Sequence, residues 1–203
     1  MPPRVGQKEE TRQRIVEGAG RGFRAHGYGG IGVDGLAREA AVTSGAFYAN
    51  FKSKAAAFRE VVATGLDELR DGILMMRGRF GTHWREKFVD FYLGERRTCD
   101  LAESCALQSL TNEVARADPD IRAIYEEKLR AIIDSTADGL AGDTVRSRRD
   151  ESIALLALLI GGVSLARGVN DEALGNEIAK AVREAAQQLE DKNQGAKAKP
   201  RRA

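Results

Sequence analysis

The chain has 203 residues, 42% hydrophobic and 31% charged, proportions that are typical of a globular protein with a buried core. No apolar run reaches the roughly eighteen residues of a membrane helix, and the N-terminus lacks a signal-peptide pattern, so we expect a cytoplasmic protein with no membrane partner. Two cysteines and two histidines exclude a disulfide scaffold and offer no metal-ligand spacing.

The net charge of +2 is unevenly distributed along the chain. Residues 1–60 hold ten Lys/Arg against six Asp/Glu, residues 61–191 hold seventeen against twenty-four, and residues 192–203 hold five against none. Basic ends on an acidic body favour the binding of nucleic acid at one end of the molecule. Small imbalances of this kind also arise by chance, so charge alone does not decide the function.

The first predicted helix covers about residues 9–25 and ends near Gly27, a suitable residue to follow a helix. Its apolar face comprises Ile15, Val16, Ala19 and Phe23. Gly18, Gly20 and Gly22 each weaken the helix by up to about 1 kcal/mol relative to alanine. The helix therefore needs to pack against its neighbours to persist.

Residues 33–54 predict two short helices joined by a sharp turn. The first, at 33–40, places apolar residues at i, i+3, i+4 and i+7, and the second covers about 44–51 behind a Thr43 or Ser44 cap. Two helices of about eight residues with a turn of three to four residues have the spacing of a helix-turn-helix. In that motif the second helix enters the DNA major groove.

The stretches VDGLAREA and VTSGAFYANF, with the last lysine of KSK, resemble the tetracycline-repressor (TetR) family of bacterial transcription regulators. Upstream the resemblance includes Arg14, Ile15, Phe23, His26, Gly27 and Tyr28, so it covers about residues 10–60. It implies a ligand-responsive homodimer that represses transcription from a near-palindromic DNA operator. Ala41 stands where the family usually has glycine, and Ile31-Gly32 stands where it has a phosphate-contacting Thr or Ser, so that contact is not transferred.

The predicted DNA contacts lie in the second helix and just beyond it. They are Thr43, Ser44, Gly45, Ala46, Tyr48, Ala49, Asn50 and Lys54. Tyr48 and Asn50 are expected to contact the DNA backbone, and Lys54 resembles the family's phosphate-binding lysine. Phe47 and Phe51 are four residues apart on one face, so we expect them in the core of the head.

The remainder predicts an all-α body. A long helix at about 54–76 is expected to join head and body, followed by helices at about 82–97, 102–116, 119–141, 148–167 and 171–190. No useful stretch alternates with period two, so no sheet is expected, and the total is about nine helices. The expected domains are a DNA-binding head at 1–55, a ligand-binding and dimerisation body at 56–190, and a disordered basic tail at 191–203. Residues 1–9 are expected to form a flexible arm.

Aromatic residues and methionines cluster in sequence around the end of the long helix. The candidate ligand-pocket residues are Met75, Met76, Phe80, Trp84, Phe88, Tyr92, Cys105, Ser109, Asn112 and Tyr125. The resemblance implies a cavity for a small hydrophobic effector, whereas plain core is the ordinary role of such residues. Cys105 is either a sensor of electrophiles or, more commonly for such a residue, an inert buried thiol.

The last two predicted helices are candidates for a dimer interface. Helix 148–167 is apolar all round, which requires cover on every side, and helix 171–190 has a face of small residues. The expected interface residues are Leu155, Leu159, Val163, Ile178, Val182, Ala185 and Leu189. The resemblance favours a four-helix interface between subunits, and a purely internal core is the alternative.

Two other classes of function stay open on the residues alone. A helical-bundle enzyme is disfavoured because His26 and His83 are the only histidines, and no acid–base or metal spacing accompanies them. A helical module that binds protein instead of DNA is the other alternative. We expect no catalytic residue, no metal and no cofactor.

Overall fold

The computed structural model describes the backbone of residues 5–196 and the side chains of residues 8–189, and this part of the chain is helical with no strand. Its α-helices are α1 Val5–Gly30, α2 Val33–Glu39, α3 Ser44–Asn50, α4 Lys54–Phe80, α5 Trp84–Leu93, α6 Glu95–Thr98, α7 Ala106–Val114, α8 Pro119–Ala137, α9 Val145–Arg167 and α10 Glu172–Ala196. The all-α prediction is confirmed. Predicted helix 82–97 is divided into α5 and α6 because Gly94 leaves helical geometry, with φ −97 and ψ −97.

The chain divides into two compact units. The first contains Met1–Asp67 and Asp100–Lys128, and the second contains Glu68–Cys99 and Leu129–Ala203. Helix α4 therefore begins in the first unit and ends in the second. The expected boundary at residue 55 falls inside the first turn of α4, and residues 100–128, expected in the body, belong to the same unit as the helix-turn-helix.

The core of the first unit is aromatic. Phe23 and Phe58 are fully buried and meet edge to face, with ring centroids 5.0 Å apart. Tyr28 packs on both of them, at 5.8 Å from Phe23 and 4.9 Å from Phe58. These contacts fix α1 against the start of α4, and such pairs contribute about 0.5–1.5 kcal/mol beyond the area that they bury.

Helix α1 passes close to the end of α2 at Gly18. A Cβ at position 18 would lie 2.5 Å from Ala40 Cα and 2.6 Å from Ala40 N. At Gly22 a Cβ would lie 2.8 Å from the Cδ1 of Ile31. These glycines were expected only to weaken α1, but in the fold they allow the helix-turn-helix to approach it.

The two ends of α1 differ in how well the sequence predicts them. Gly27 interrupts its helical geometry with φ 72 and ψ 169, and this break confirms the predicted end. A positive φ of this kind strongly favours glycine. The start was predicted wrongly, because α1 begins at Val5 and residues 5–9 are helical. Residues 1–4 of the expected arm lie outside the described residues.

The turn between α2 and α3 contains a strained alanine. Ala41 has φ 53, a left-handed conformation, at the position where the resembling family usually has glycine. Two hydrogen bonds hold the turn: Ala41 N–H donates to Arg38 O at 3.0 Å and Val42 N–H donates to Ala37 O at 2.9 Å. A left-handed alanine costs about 1–2 kcal/mol, whereas glycine's greater freedom in the unfolded chain costs about 0.4–1 kcal/mol.

Ala41→Gly is therefore expected to stabilise the protein by about 0.5–1 kcal/mol. Urea unfolding followed by circular dichroism measures the change. Ala49→Gly is the matched control, because Ala49 lies exposed within α3, where glycine costs about 1 kcal/mol. Equal destabilisation by both substitutions would contradict strain at Ala41.

The second unit is held together by a buried arginine. Arg85 of α5 donates from Nη2 to Ala186 O of α10 at 2.6 Å and lies 3.4 Å from Glu151 Oε1 of α9. Both charged side chains are buried, at 6% exposure each. Helices α9 and α10 also meet closely, since a Cβ on Gly162 would lie 2.6 Å from Val182 Cγ2. Removing either charge alone would leave the other buried without its partner, at a cost of about 3–5 kcal/mol.

Three residues expected at a dimer interface are core residues of the single chain. Leu155, Leu159 and Val163 are 0–2% exposed within the second unit, so they already pack in the core of the single chain, and their role in an interface stays a prediction. Because α9 is apolar on every side, periodicity does not tell which side its own neighbours cover. The exposed side of α9 carries Ile153, at 44% exposure, and Gly161.

Two C-terminal expectations change as well. Helix α10 extends to Ala196, so residues 191–196 are helical and the prediction of disorder from residue 191 was wrong there. Residues 197–203 lie outside the described part of the chain. Ile178, Val182, Ala185 and Leu189 are half-buried on α10, and their role in an interface stays a prediction.

Candidate nucleic-acid interface

Helix α3 is anchored by its aromatic residues and capped by a hydroxyl. Phe47 and Phe51 are 0% and 3% exposed with ring centroids 5.8 Å apart, which confirms their predicted place in the core. Thr43 is the N-cap, and its Oγ1 accepts a hydrogen bond from Ala46 N–H at 3.1 Å. Its hydroxyl proton is not used in that bond and can be donated to DNA.

The outer side of α3 is formed by short side chains and one tyrosine. Tyr48 is 57% exposed, and its ring meets that of Phe47 edge-on at 5.8 Å. Gly45 and Ala49 are exposed, and Ala46 is half-buried. This arrangement allows close approach to a duplex, and contact of these residues with DNA stays a prediction.

Ser44 is tied to the preceding helix. Its Oγ donates to Asp34 Oδ1 of α2 at 2.5 Å. Asp34 is exposed, and Ser44 is half-buried. The hydrogen bond links α2 to the N-terminal end of α3. In helix-turn-helix proteins this end of the second helix faces the bases. No local pattern in the sequence pointed to a role for Asp34.

Asn50 directs its amide toward its own helix. Its Nδ2 donates to Ala46 O at 2.8 Å, and its Oδ1 is buried without a hydrogen-bond partner among the described residues. Its backbone carbonyl accepts from Arg12 Nη1 of α1 at 2.9 Å. The side chain is therefore less available to a phosphate than the sequence suggested.

Arg12 connects α1, α3 and α4. Besides its bond to Asn50 O, it pairs with the carboxylate of Glu60, with Nε 3.0 Å from Oε1 and a second bond from Nη2 to Oε2. Its guanidinium lies 4.3 Å from the centroid of the Phe51 ring. These contacts fix the C-terminal end of α3. Arg12 and Glu60 are 48 positions apart, so no local pattern in the sequence could have revealed the pair.

Lys54 begins α4, and its ammonium group has an aromatic partner. The Nζ atom lies 4.5 Å from the centroid of the Tyr28 ring, a cation–π contact. Tyr28 itself is fixed by Phe23 and Phe58. The contact restrains the lysine where the sequence predicts a phosphate contact, and it lowers the entropy that the side chain would lose on binding.

An open groove of about 810 Å³ runs between the start of α1 and the end of α3. Lys8 and Arg14, both exposed, lie along it together with Ala49 and Asn50. In the sequence, Arg14 is marked only by the family resemblance. Glu10 and Glu17 line the groove as well, so the two cations beside the outer side of α3 are matched by two carboxylates.

The ten predicted pocket residues divide between the two units. Trp84, Phe88 and Tyr92 form a buried stack in the second unit, with successive ring centroids 6.2 Å and 5.4 Å apart. Met76 and Phe80 of the same unit are half-buried, but Met75 is 55% exposed, so it does not line a closed cavity there. Trp84 also borders an open depression of about 510 Å³ beside Arg77, and its Nε1 donates to Gly139 O at 2.9 Å.

The other four predicted pocket residues are polar and lie in the first unit. Asn112 is exposed, and Cys105 is half-buried. The Ser109 Oγ lies 2.5 Å from that of Ser104, and the Tyr125 hydroxyl lies 2.9 Å from Thr111 Oγ1. Burial raises the pKa of Tyr125 above its ordinary value, an effect that the bond to Thr111 partly offsets. Tyr125 is therefore a neutral hydrogen-bonding group at physiological pH, suited to a polar contact with a ligand.

A capped helix behind a tight turn, beside exposed cations, defines the helix-turn-helix class of DNA-binding proteins. Residues 15–61 match the family model for bacterial regulatory proteins of the tetR family. The helix-turn-helix part of the chain is therefore of the tetR type. Within the described residues, no group of His, Cys, Asp or Glu could hold a metal ion, and no helix has the length and hydropathy needed to cross a membrane.

The fold is similar to that of solved transcriptional regulators described as TetR. One from Legionella pneumophila is 18% identical, with a TM-score of 0.74 over 93% of this chain and 98% of that chain. One from Cytophaga hutchinsonii is 17% identical, with a TM-score of 0.73 over 93% and 98%. One from Streptomyces coelicolor is 18% identical, with a TM-score of 0.72 over 91% and 96%. No curated protein matches the chain in sequence.

Proposed function

We propose that the chain is a homodimeric repressor that binds a near-palindromic DNA operator and leaves it when a small hydrophobic molecule binds. The observation that carries the DNA-binding part is the outer side of α3, where Tyr48 and short side chains are exposed between Lys54 and the Thr43 cap. Small residues let the helix enter the groove closely, and the flanking hydroxyl and ammonium groups suit phosphates.

Lys54 supplies a phosphate contact in this proposal. Lys54→Ala is expected to weaken binding to every DNA sequence by about tenfold and to reduce the slope of log affinity against log salt by about one. Fluorescence anisotropy at several salt concentrations measures both. Lys87→Ala removes an exposed lysine of α5 and serves as the control. An unchanged salt slope in Lys54→Ala would contradict this role.

The surface of the second unit supports the dimer. On α9 the exposed side carries Ile153, Ala157 and Gly161, and on α10 Leu174 is 41% exposed while Ile178 is half-buried. Apolar side chains at helical spacing on the surface gain free energy when a second copy covers them. Two heads in one dimer would contact two half-sites, so the operator should be close to palindromic.

The effector is proposed to bind among the aromatic residues of the body. Trp84, Phe88 and Tyr92 are buried, and Trp84 is the member of this stack that borders the open depression, so a ligand would enter beside Trp84. Helix α4 runs from the unit with the helix-turn-helix into the unit with these aromatics. A ligand that prefers one arrangement of α4 would shift the protein toward it, and DNA would then weaken ligand binding by the same factor.

One experiment tests the proposal as a whole. The full-length protein is titrated onto duplex DNA taken from upstream of its own gene, with an unrelated duplex of equal length as the control. We expect specific retardation that is much weaker on a duplex carrying one half-site, and release by a hydrophobic compound that leaves the protein folded. Equal binding to both duplexes would contradict a specific operator, and no binding to either would favour a role in binding protein.

A further inference from the structure

The hydrogen bond between Ser44 and Asp34 has a fixed direction. A carboxylate has no proton to donate, so the serine hydroxyl is the donor over the 2.5 Å that separates Ser44 Oγ from Asp34 Oδ1. Neither side chain has another hydrogen-bond partner among the described residues. Asp34 is exposed on the first turn of α2.

This direction removes the ambiguity of a serine contact. A free serine hydroxyl can donate to a base or accept from it, and so it discriminates poorly between bases. With its proton committed to Asp34, Ser44 presents only oxygen lone pairs. The pair Ser44–Asp34 therefore offers acceptors alone, and it carries a negative charge.

We propose that Asp34 is a specificity-determining residue of the DNA interface, which together with Ser44 selects a cytosine amino group in the major groove. This inference rests on the proposed function, because it requires that the start of α3 meets base edges. It assigns a role to an acidic residue that a phosphate-binding surface would otherwise exclude, since a carboxylate near phosphates is repelled.

Cytosine is the base whose major-groove edge suits a partner that offers acceptors alone, because it presents one N4–H donor. Its edge presents the N4 amino donor without a neighbouring acceptor, whereas guanine presents N7 and O6 acceptors and thymine presents O4 and a methyl group. Adenine has an N6 amino donor, but its adjacent N7 acceptor would face the same negative charge. The preference for cytosine at this position should be about tenfold.

The test is selection from a randomised duplex library by the full-length protein, followed by sequencing. The wild-type protein should enrich a cytosine at one symmetric position of each half-site. Asp34→Asn keeps the size of the side chain but presents an amide, which pairs with adenine, so that position should change from cytosine to adenine. Asp34→Ala should reduce the preference there to about twofold or less, because Ser44 is then free to donate or accept.

Matched measurements keep the outcomes distinct. Glu39→Gln neutralises the exposed carboxylate of another residue of α2. The backbone carbonyl of Glu39 accepts a hydrogen bond from Arg21, and it is unchanged by the substitution. This variant should select the same sequence as wild type. Thermal melts establish that each variant is folded at the selection temperature. If Asp34→Asn and Asp34→Ala still select the same cytosine, the proposed role of Asp34 is overturned, while the proposed function of the protein stands. If the wild-type protein enriches no sequence, the proposed function fails together with this inference.

Discussion

Valine in place of Gly18 is expected to destabilise the DNA-binding head by about 3 kcal/mol or more and to abolish specific DNA binding. A Cβ at this position would lie within 2.7 Å of three backbone atoms of Glu39 and Ala40. Backbone cannot rotate away as the end of a side chain can, so α1 and α2 must separate. The turn that follows α2 would then present α3 at a different angle.

The experiment on Gly18 compares two glycines of long helices. Gly78 of α4 is exposed, and a Cβ there would meet nothing within 4 Å. Gly78→Ala should therefore raise stability by up to about 1 kcal/mol through helix propensity. Urea unfolding gives the free energies, and anisotropy with operator DNA gives the affinities. A Gly18→Val protein as stable as wild type would show that the close approach does not exist in solution.

The same glycine shows where prediction from the sequence ends. Helix propensity is a local property, and by that criterion Gly18 only weakens α1. Its partner Ala40 is 22 positions away, and a contact at that distance leaves no periodic signal in one sequence. The helices themselves were predictable because apolar residues recur on one face, as the buried Phe47 and Phe51 illustrate.

The candidate site was predicted in part for the same reason. Local spacing and the family resemblance predicted DNA contacts at Thr43, Tyr48 and Lys54. These residues lie on or beside the exposed turns of α3. The partners that orient the site, Arg12 and Asp34, lie on other helices and did not follow from spacing. Asp34 is ten positions from Ser44, and only the turn at Ala41 brings the two together.

Helix α9 shows a different limit of prediction. Its apolar residues surround the helix, so the sequence predicted that all sides are covered but not by what. In the single chain Leu155 and Leu159 face the interior, while Ile153 and Gly161 remain on the surface. A test of dimerisation must therefore alter the exposed side, because an acidic residue in place of Leu159 would be buried without a partner and would unfold the second unit.

Glutamate in place of Gly161 is expected to convert the dimer to a folded monomer and to weaken operator binding by about 100-fold or more. In the single chain a Cβ at position 161 meets nothing within 4 Å, so the substitution creates no clash and favours the helix. Within an interface the new carboxylate would lose its hydration against apolar surface of the second copy. The loss of affinity follows because the two half-sites would no longer be bound by linked heads.

Sedimentation velocity at micromolar concentration distinguishes monomer from dimer, and circular dichroism measures the helix content of each species. Val145→Glu is the control, since Val145 is 72% exposed at the N-terminus of α9 and the change introduces the same charge. It should leave both the dimer and the affinity unchanged. On a duplex with a single half-site, Gly161→Glu should bind as well as wild type, because each head is intact. A dimer that survives Gly161→Glu would place the contact between subunits on another surface of the protein.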